Sequence, residues 1–473
     1  FTQWKDLSDV VPRPNLESYQ NENSPYSDFT WFSKNVYLSP STISSDTISY
    51  SRCAWGCRDV CDSMFVLNSE NMYESLDSEH CANCQYVSDC KDCVDGLYLF
   101  DCRNSSDCFM SSNLRNKRFV FRNEQCSKEE YKKRVSTIHK DRNSRDKLYL
   151  EYLNLRRDAL HRYANMIKCR DSSGNNLTHC KNAKLCFNSD SCEDVKYCVQ
   201  ISHAKDVQDM YGVGDKESSL LYDGVNVGYL DSNIYFSSHT FENCARLEYC
   251  DYCRASQDLF GCIGLRKKQY CILNKQYSQK EYEGLVSKIK EHMRGTPYVD
   301  ARGREYTYGE FFPVEFSPFA YNEAMTQFYF PMEKAEVDYF GGRWAEPGAR
   351  EYKITQAADD LPILIEDVTE GILGQVVGCK HGQTCQHGCT FAFKITPQEL
   401  RFYRKAGVPL PQLCPSCRSA ERGALRNPVK LWHRTCECEG KKSKVKGQNQ
   451  YTNTATHAHG DQPCSTKFET AFS

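Results

Sequence analysis

The sequence predicts a mainly β fold: two copies of a β-solenoid module, each with a helical tail, followed by a C-terminal zinc-binding region. Three observations predict it. A triplet of Ser or Cys, any residue, then Asp or Asn recurs about every twelve residues. One stretch returns 151 residues later without a gap. The last hundred residues carry cysteine pairs at metal-ligand spacing.

The triplets run Ser33-Lys34-Asn35, Ser44-Ser45-Asp46, Cys57-Arg58-Asp59, Ser69-Glu70-Asn71, Cys81-Ala82-Asn83, Cys90-Lys91-Asp92 and Cys102-Arg103-Asn104. Their third positions step by 11, 13, 12, 12, 9 and 12. Such a step is too short for a pair of helices and fits a face of a β-solenoid. Small residues stack inside such coils, and Asp or Asn turn the chain by bonding their own backbone. Aromatic residues between triplets, such as Tyr37, Phe65 and Tyr86, suit strands. The pattern resumes at Cys169-Arg170-Asp171, Cys180-Lys181-Asn182 and Cys192-Glu193-Asp194, fades through Asp206 and returns near Asn243.

The longer repeat aligns 105–135 with 256–286, with 12 of 31 positions identical, among them Phe109/Phe260, Arg115/Arg266 and Tyr131/Tyr282. Each copy ends in a helical start signal, Ser127 with Glu130 and Ser278 with Glu281. These observations divide the chain into an extended N-terminal segment (1–30), solenoid 1 (31–126), tail 1 (127–168), solenoid 2 (169–277) and tail 2 (278–294). An aromatic, Pro- and Gly-punctuated strap (295–370), a zinc domain (371–435) and a partial second zinc domain (436–473) follow.

The chain holds 28 cysteines. In "CANCQYVSDCKDC", residues 81–93, Cys81 and Cys90 occupy triplet slots filled elsewhere by serine. Packed structural thiols are therefore the leading reading, against disulfides or zinc. The same weighing applies to Cys53, Cys57, Cys61, Cys180, Cys186 and Cys192. No histidine lies at a local spacing that marks an activated thiolate.

Farther on, Cys385 and Cys389 precede the knuckle Cys414-Pro415-Ser416-Cys417. Two distant thiolate pairs can close a tetrahedron around structural zinc. Thr396, Pro397 and Glu399 open a helix between them and Gly407 closes it. Cys379, His381 and His387 compete as ligands. A second site is expected from Cys436, Cys438, His459 and Cys464. Basic residues recur at every fourth position through Arg418, Arg422, Arg426, Lys430 and Arg434. They suggest a phosphate-gripping stripe, or else a solvated surface or a face that docks on an acidic partner, including the solenoid itself.

Residues 379–435, with "GCIGLRKKQYCILNKQYSQKEY" and "GEFFPVEFSPFAYNEA", resemble a large uncharacterised family of cysteine-rich repeat proteins from candidate-phyla-radiation bacteria. The resemblance covers most of the chain. It implies treble-clef zinc ribbons, Zn2+ and a bacterial source, and it names no activity. Members of that family carry another zinc ribbon before the segment resembling "FTQWKDLSDVVPRPNL" and a closing CxxC after "CSTKFETAFS". A truncated chain is therefore expected, in keeping with its start at Phe1.

Composition bounds the function. With 60 basic and 62 acidic side chains, the surface is not uniformly polyanion-binding. No run of apolar residues is long enough for a membrane-spanning helix. No P-loop, nucleotide-binding glycine fingerprint, HExxH or nucleophile elbow is present. The expectation is a non-catalytic, zinc-binding solenoid scaffold for protein interaction or self-assembly, with no small-molecule substrate. The alternatives are a nucleic-acid-binding zinc-ribbon protein and a treble-clef nuclease-like enzyme. Zinc thiolates and the lack of a visible signal favour the cytoplasm over the extracellular surface.

Overall fold

Inside the first module, every third residue points inward. The computed structural model describes residues 1–213, 217–346, 348, 352–382, 384, 385, 387–435 and 467–472. Between residues 18 and 121 the strands pair in parallel, and the register advances by twelve. One ladder runs Lys34↔Asp46↔Arg58↔Glu70↔Ala82↔Val94↔Ser106↔Arg118. A second runs Ser18↔Thr30↔Thr42↔Ala54↔Val66↔Ser78. Each twelve-residue lap therefore sends four side chains inward, and each stacks on its equivalent in the next lap. The four columns hold Ser33, Ser45, Cys57, Ser69, Cys81 and Cys93; Val36, Ile48, Val60, Met72 and Cys84; Ser39, Ser51, Ser63, Ser75 and Val87; and Thr42, Ala54, Val66, Ser78, Cys90 and Cys102, all buried.

This geometry explains the triplet. Its first residue faces inward and its third turns the chain with positive φ, as at Asn35, Asp59, Asn71, Asn83, Asp92 and Asn104, but in Ser44-Ser45-Asp46 the frame is shifted by one, Ser44 taking the positive φ and Ser45 facing inward. Asn and Asp tolerate the left-handed region better than other side-chain-bearing residues. Serine suits the inward position for a second reason. The Ser51, Ser63 and Ser75 N–H groups donate to Ser39, Ser51 and Ser63 Oγ one lap earlier, at 3.0, 3.1 and 3.1 Å. Each of these hydroxyls in turn donates to a carbonyl two residues back. The column thus satisfies buried amides that the strand ladders leave out.

The second module repeats this plan with altered lap lengths. Gly174 pairs with Cys186 and Phe187 with Val199 at twelve residues. The step then widens to fourteen at Ala204↔Ser218 and to thirteen at Ser219↔Ser232 and Ser232↔Ala245. It returns to twelve at Ala245↔Gln257. The widened laps are where the sequence triplet fades.

Both parallel ladders end alike. A short antiparallel turn folds back, Phe121↔Glu124 in one and Ile272↔Lys275 in the other. A helix follows each: α2 (Lys128–Ser136) below and α4 (Gln279–Gly295) later in the chain, with α1 (Thr2–Val10) preceding them. Ser278 forms with Glu281 the reciprocal capping box that its spacing predicts on α4, while Ser127 caps α2 by accepting from Glu130 N alone. A further helix, α3 (Arg142–Asp158), lies back on the first module. Its buried Tyr152 hydroxyl contacts Ser88 Oγ at 2.7 Å and Leu99 O at 3.2 Å.

Two segments differ from expectation. Residues 1–30 are not extended throughout, because Thr2–Val10 is helical. Trp4 drives this: its ring lies 4.2 Å from that of Phe312, and its Nε1 donates to Tyr249 O at 2.9 Å. Pro12 and Pro14 then prevent the helix from continuing. The strap at 295–370 crosses the second module through Tyr308, which bonds Glu248 at 2.8 Å, and Tyr329, which bonds Gln200 at 2.8 Å. It also carries two short helices, α5 (Met325–Tyr329) and α6 (Lys334–Phe340).

Three substitutions test this architecture. Gly174 has φ +137°, and a Cβ there would stand 1.7 Å from Cys186 O. Gly174→Ala is expected to cost about 3 kcal/mol or more in denaturant unfolding. Gly284→Ala, in α4 with open space around it, is expected to be neutral or stabilising by up to about 1 kcal/mol. Asp231 is buried; Oδ1 accepts from Cys244 N at 2.7 Å, and Oδ2 has no hydrogen-bond partner. Burial pushes its carboxyl up to about 8. Folding therefore holds this proton, and the stability it contributes is complete below the ordinary carboxylate pKa and lost as pH rises through about 8. Asp231→Asn is expected to gain about 1–3 kcal/mol over the parent at pH 7. The gain should shrink toward pH 4 when unfolding is followed across that range.

Candidate metal centre

The C-terminal unit is built from a short hairpin, Val377–Gly378 with Ala392–Phe393, and two helices, α7 (Pro397–Ala406) and α8 (Pro415–Ala424). Helix α7 matches its sequence signals: Thr396 and Glu399 form a capping box, and Gly407 closes it at φ +62°. Cys414 is the N-cap of α8, so Cys414 and Cys417 sit at the positive end of its dipole.

Four buried thiols converge here: Cys379, Cys389, Cys414 and Cys417, with all their sulfurs within 4.8 Å of one another. Cys379 and Cys417 Sγ are 3.9 Å apart, and Cys414 and Cys389 Sγ 3.8 Å. Thiolates bound tetrahedrally to zinc at its usual bond length stand about 3.8 Å apart. Backbone N–H groups also point at the sulfurs, from Cys414 to Cys379 at 3.2 Å and from Phe391 to Cys389 at 3.4 Å. Contact with Cys379 pulls the Cys414 thiol down to about 3, while the same contact and burial push Cys379 up. The donor set and its spacing fit a metal ion.

Three of the four expected ligands, Cys389, Cys414 and Cys417, are therefore brought together. Cys379 takes the place expected for Cys385. The strand Val377–Gly378 places it there, and Cys379 N donates to Phe391 O at 2.8 Å across the hairpin. The sequence signal was present, since Cys379 belongs to the competing set, but sequence spacing does not show which thiols the hairpin aligns. Cys385 lies in a second group with His381, His387 and Cys417. The expected second site at Cys436, Cys438, His459 and Cys464 falls outside the described residues.

The cysteines of the two parallel sheets behave differently. Every described cysteine is a free thiol. Among the described residues, groups of three or more metal-capable side chains occur only in the C-terminal unit. Cys84 Sγ instead donates to Ala82 O at 3.3 Å, and Cys93 Sγ to Cys102 O at 3.4 Å. The CxxC spacing in 81–93 places thiols at successive inward positions of a lap.

The basic stripe requires a correction. Arg418 and Arg422 are 5% and 2% exposed, so they cannot grip phosphate. Arg418 pairs with Asp62 and Glu399, and its Nη1 donates to the Tyr403 hydroxyl at 2.8 Å. Arg422 Nη2 donates to Asp62 Oδ1 at 2.8 Å, and its Nε lies 3.2 Å from Glu74. Arg426 binds Asp77 at 2.8 Å in the first module and Asn188 at 3.0 Å in the second. The i, i+4 face of α8, continued by Arg426 just beyond it, thus docks on the chain's own polar and acidic residues. Lys430 and Arg434 remain exposed. Asp62 and Glu399 carry this dock, yet their sequence contexts read only as a turn and a helix cap. Burial pushes the Glu399 carboxyl up, against the pull of Arg418.

No protein-family model matches the chain, and no curated protein matches it. Among solved structures, a "putative acetyltransferase" from Desulfovibrio desulfuricans G20 aligns at 11% identity over 64% of this chain and 93% of that one. Its TM-score of 0.11 is too low to carry an argument about fold or activity.

Removing the shared anion tests the dock. Asp62→Asn is expected to destabilise the chain by about 3–5 kcal/mol in denaturant unfolding, because two buried guanidinium groups lose their common partner. Lys405, which reaches Asp59 at 2.7 Å from an exposed position, serves as the contrast. Lys405→Ala is expected to cost no more than about 1 kcal/mol.

Proposed function

We propose that this chain is a non-catalytic β-solenoid scaffold, pinned by a treble-clef zinc ribbon, that presents its faces to a protein partner. The observation that carries the reading is the use of α8. Its N-terminus holds two of the four clustered thiols, while Arg418, Arg422 and Arg426 clasp Asp62, Asp77 and Asn188. A metal bound there orders α8, and α8 with Arg426, two residues past its end, ties both modules together. The four-sulfur donor set favours zinc over harder cations.

The register of twelve supports the solenoid reading, and the hairpin with two helices around four thiols supports the treble clef. Solenoids commonly serve as stiff binding surfaces. The antiparallel turn and helix closing each ladder block strand addition at those ends. This favours side-on protein contact over end-to-end self-assembly. The commitment of three arginines to the dock weakens the nucleic-acid alternative. The buried, unpaired thiols fit a reducing compartment such as the cytoplasm.

Elemental analysis with a thiol count on denatured, unreduced protein tests this. Bound zinc with nearly all 28 thiols free is the expected result. Stripping the metal should lower the unfolding midpoint and open α8 to proteolysis. An unchanged midpoint would remove the pinning role. Steeply salt-dependent binding of labelled DNA or RNA would favour the nucleic-acid reading instead.

A further inference from the structure

The four-thiol group has a neighbour that a single zinc does not use. His381, Cys385 and His387 bring their ligand atoms within 4.8 Å of one another and of Cys417, which belongs to both groups. Cys385 Sγ stands 3.5 Å from Cys417 Sγ. The imidazole rings of His381 and His387 are 5.5 Å apart.

His381 is prepared as a ligand. Its Nε2 lies 3.3 Å from Glu421 Oε1. Its Nδ1 is buried and has no hydrogen-bond partner. An imidazole that donates from Nε2 to a carboxylate keeps its lone pair on Nδ1, the arrangement that second-shell carboxylates impose on metal-binding histidines. Glu421 stands one turn after Cys417 on α8, so the same helix face supplies a thiolate and the orienting carboxylate. Charge points the same way. Five thiolates around one divalent ion leave three negative charges uncompensated, and a second ion leaves one.

We propose that a second divalent ion of the zinc class binds here, held by His381 Nδ1, Cys385 and His387, with Cys417 bridging the two metals. This rests on the zinc reading of the four-thiol group. With His387 exposed and Cys385 half-buried, the outer ion faces solvent and exchanges faster than the inner one.

Native mass spectrometry of the zinc-loaded full chain tests this in a Cys436→Ser/Cys438→Ser/His459→Ala/Cys464→Ser background, which removes the ligands of the other candidate site. Two zincs per chain are expected in the background, and one after His381→Ala/His387→Ala with the fold retained by circular dichroism. Glu421→Gln should keep both ions but speed loss of one to a chelator at least several-fold. One zinc in the background, or two in the histidine variant, overturns the bridged site and leaves the single-zinc reading standing. An unchanged chelation rate in Glu421→Gln also counts against it, and it decides the matter should the histidine variant not fold. No zinc in the background overturns both readings.

Discussion

The narrow interior of a twelve-residue lap is the constraint on which the rest depends. Four inward side chains per lap must fit a cross-section bounded by four three-residue sides. Ser, Thr, Cys, Ala and Val fit, and large residues enter where small neighbours leave room. Met72 stacks between Val60 and Cys84, and Leu99 contacts the space left by Gly96. Each side is too short to leave all its amides in a ladder, so the inward residue does more than fill volume. Serine accepts an amide from the next lap, while cysteine fills more apolar volume and donates weakly to nearby carbonyls. A cysteine-rich interior thereby substitutes for the large hydrophobic core that the cross-section forbids.

The same constraint makes the corners costly. A residue in the left-handed region recurs at every third position over most of the first module, including Leu38, Tyr50, Phe65 and Tyr86. Such φ values strain bulky residues, so the surroundings must hold them. The ladders provide part of this, since each corner amide bonds a carbonyl of the preceding lap, as Tyr50 N does to Tyr37 O at 3.1 Å. The C-terminal unit provides more. It covers Tyr50 and Tyr73 with α7 and α8, where the Tyr50 hydroxyl donates to Glu399 at 3.0 Å and Arg418 lies over its ring at 4.7 Å.

Much of this was legible in the sequence. The triplet identified the inward and turning positions, the offset of 151 identified the duplication, and Ser127, Ser278 and Thr396 marked three helix starts. What was not legible depends on contacts between distant segments. The N-terminal helix is held by Tyr249 and Phe312, some 240 to 310 residues away. Basic residues spaced by four show a common face but not what that face meets, and Asp62 reads locally as one more turn residue. Likewise, Cys379 and Cys385 are equivalent in a ligand pattern until the strand register of a two-residue hairpin separates them.

Cysteine spacing alone therefore does not distinguish a packed thiol from a metal ligand. Cys81 and Cys84, and Cys414 and Cys417, share the same CxxC interval. In the lap, residues three apart face a common interior from successive sides, and the backbone offers their thiols carbonyl acceptors. In α8, residues three apart share a helix face at its N-terminus, and the Cys414 and Phe391 N–H groups donate to the facing sulfurs of Cys379 and Cys389. What separates them is convergence: among the described residues only the C-terminal unit gathers four cysteine sulfurs within 4.8 Å of one another, two of them at a helix N-terminus.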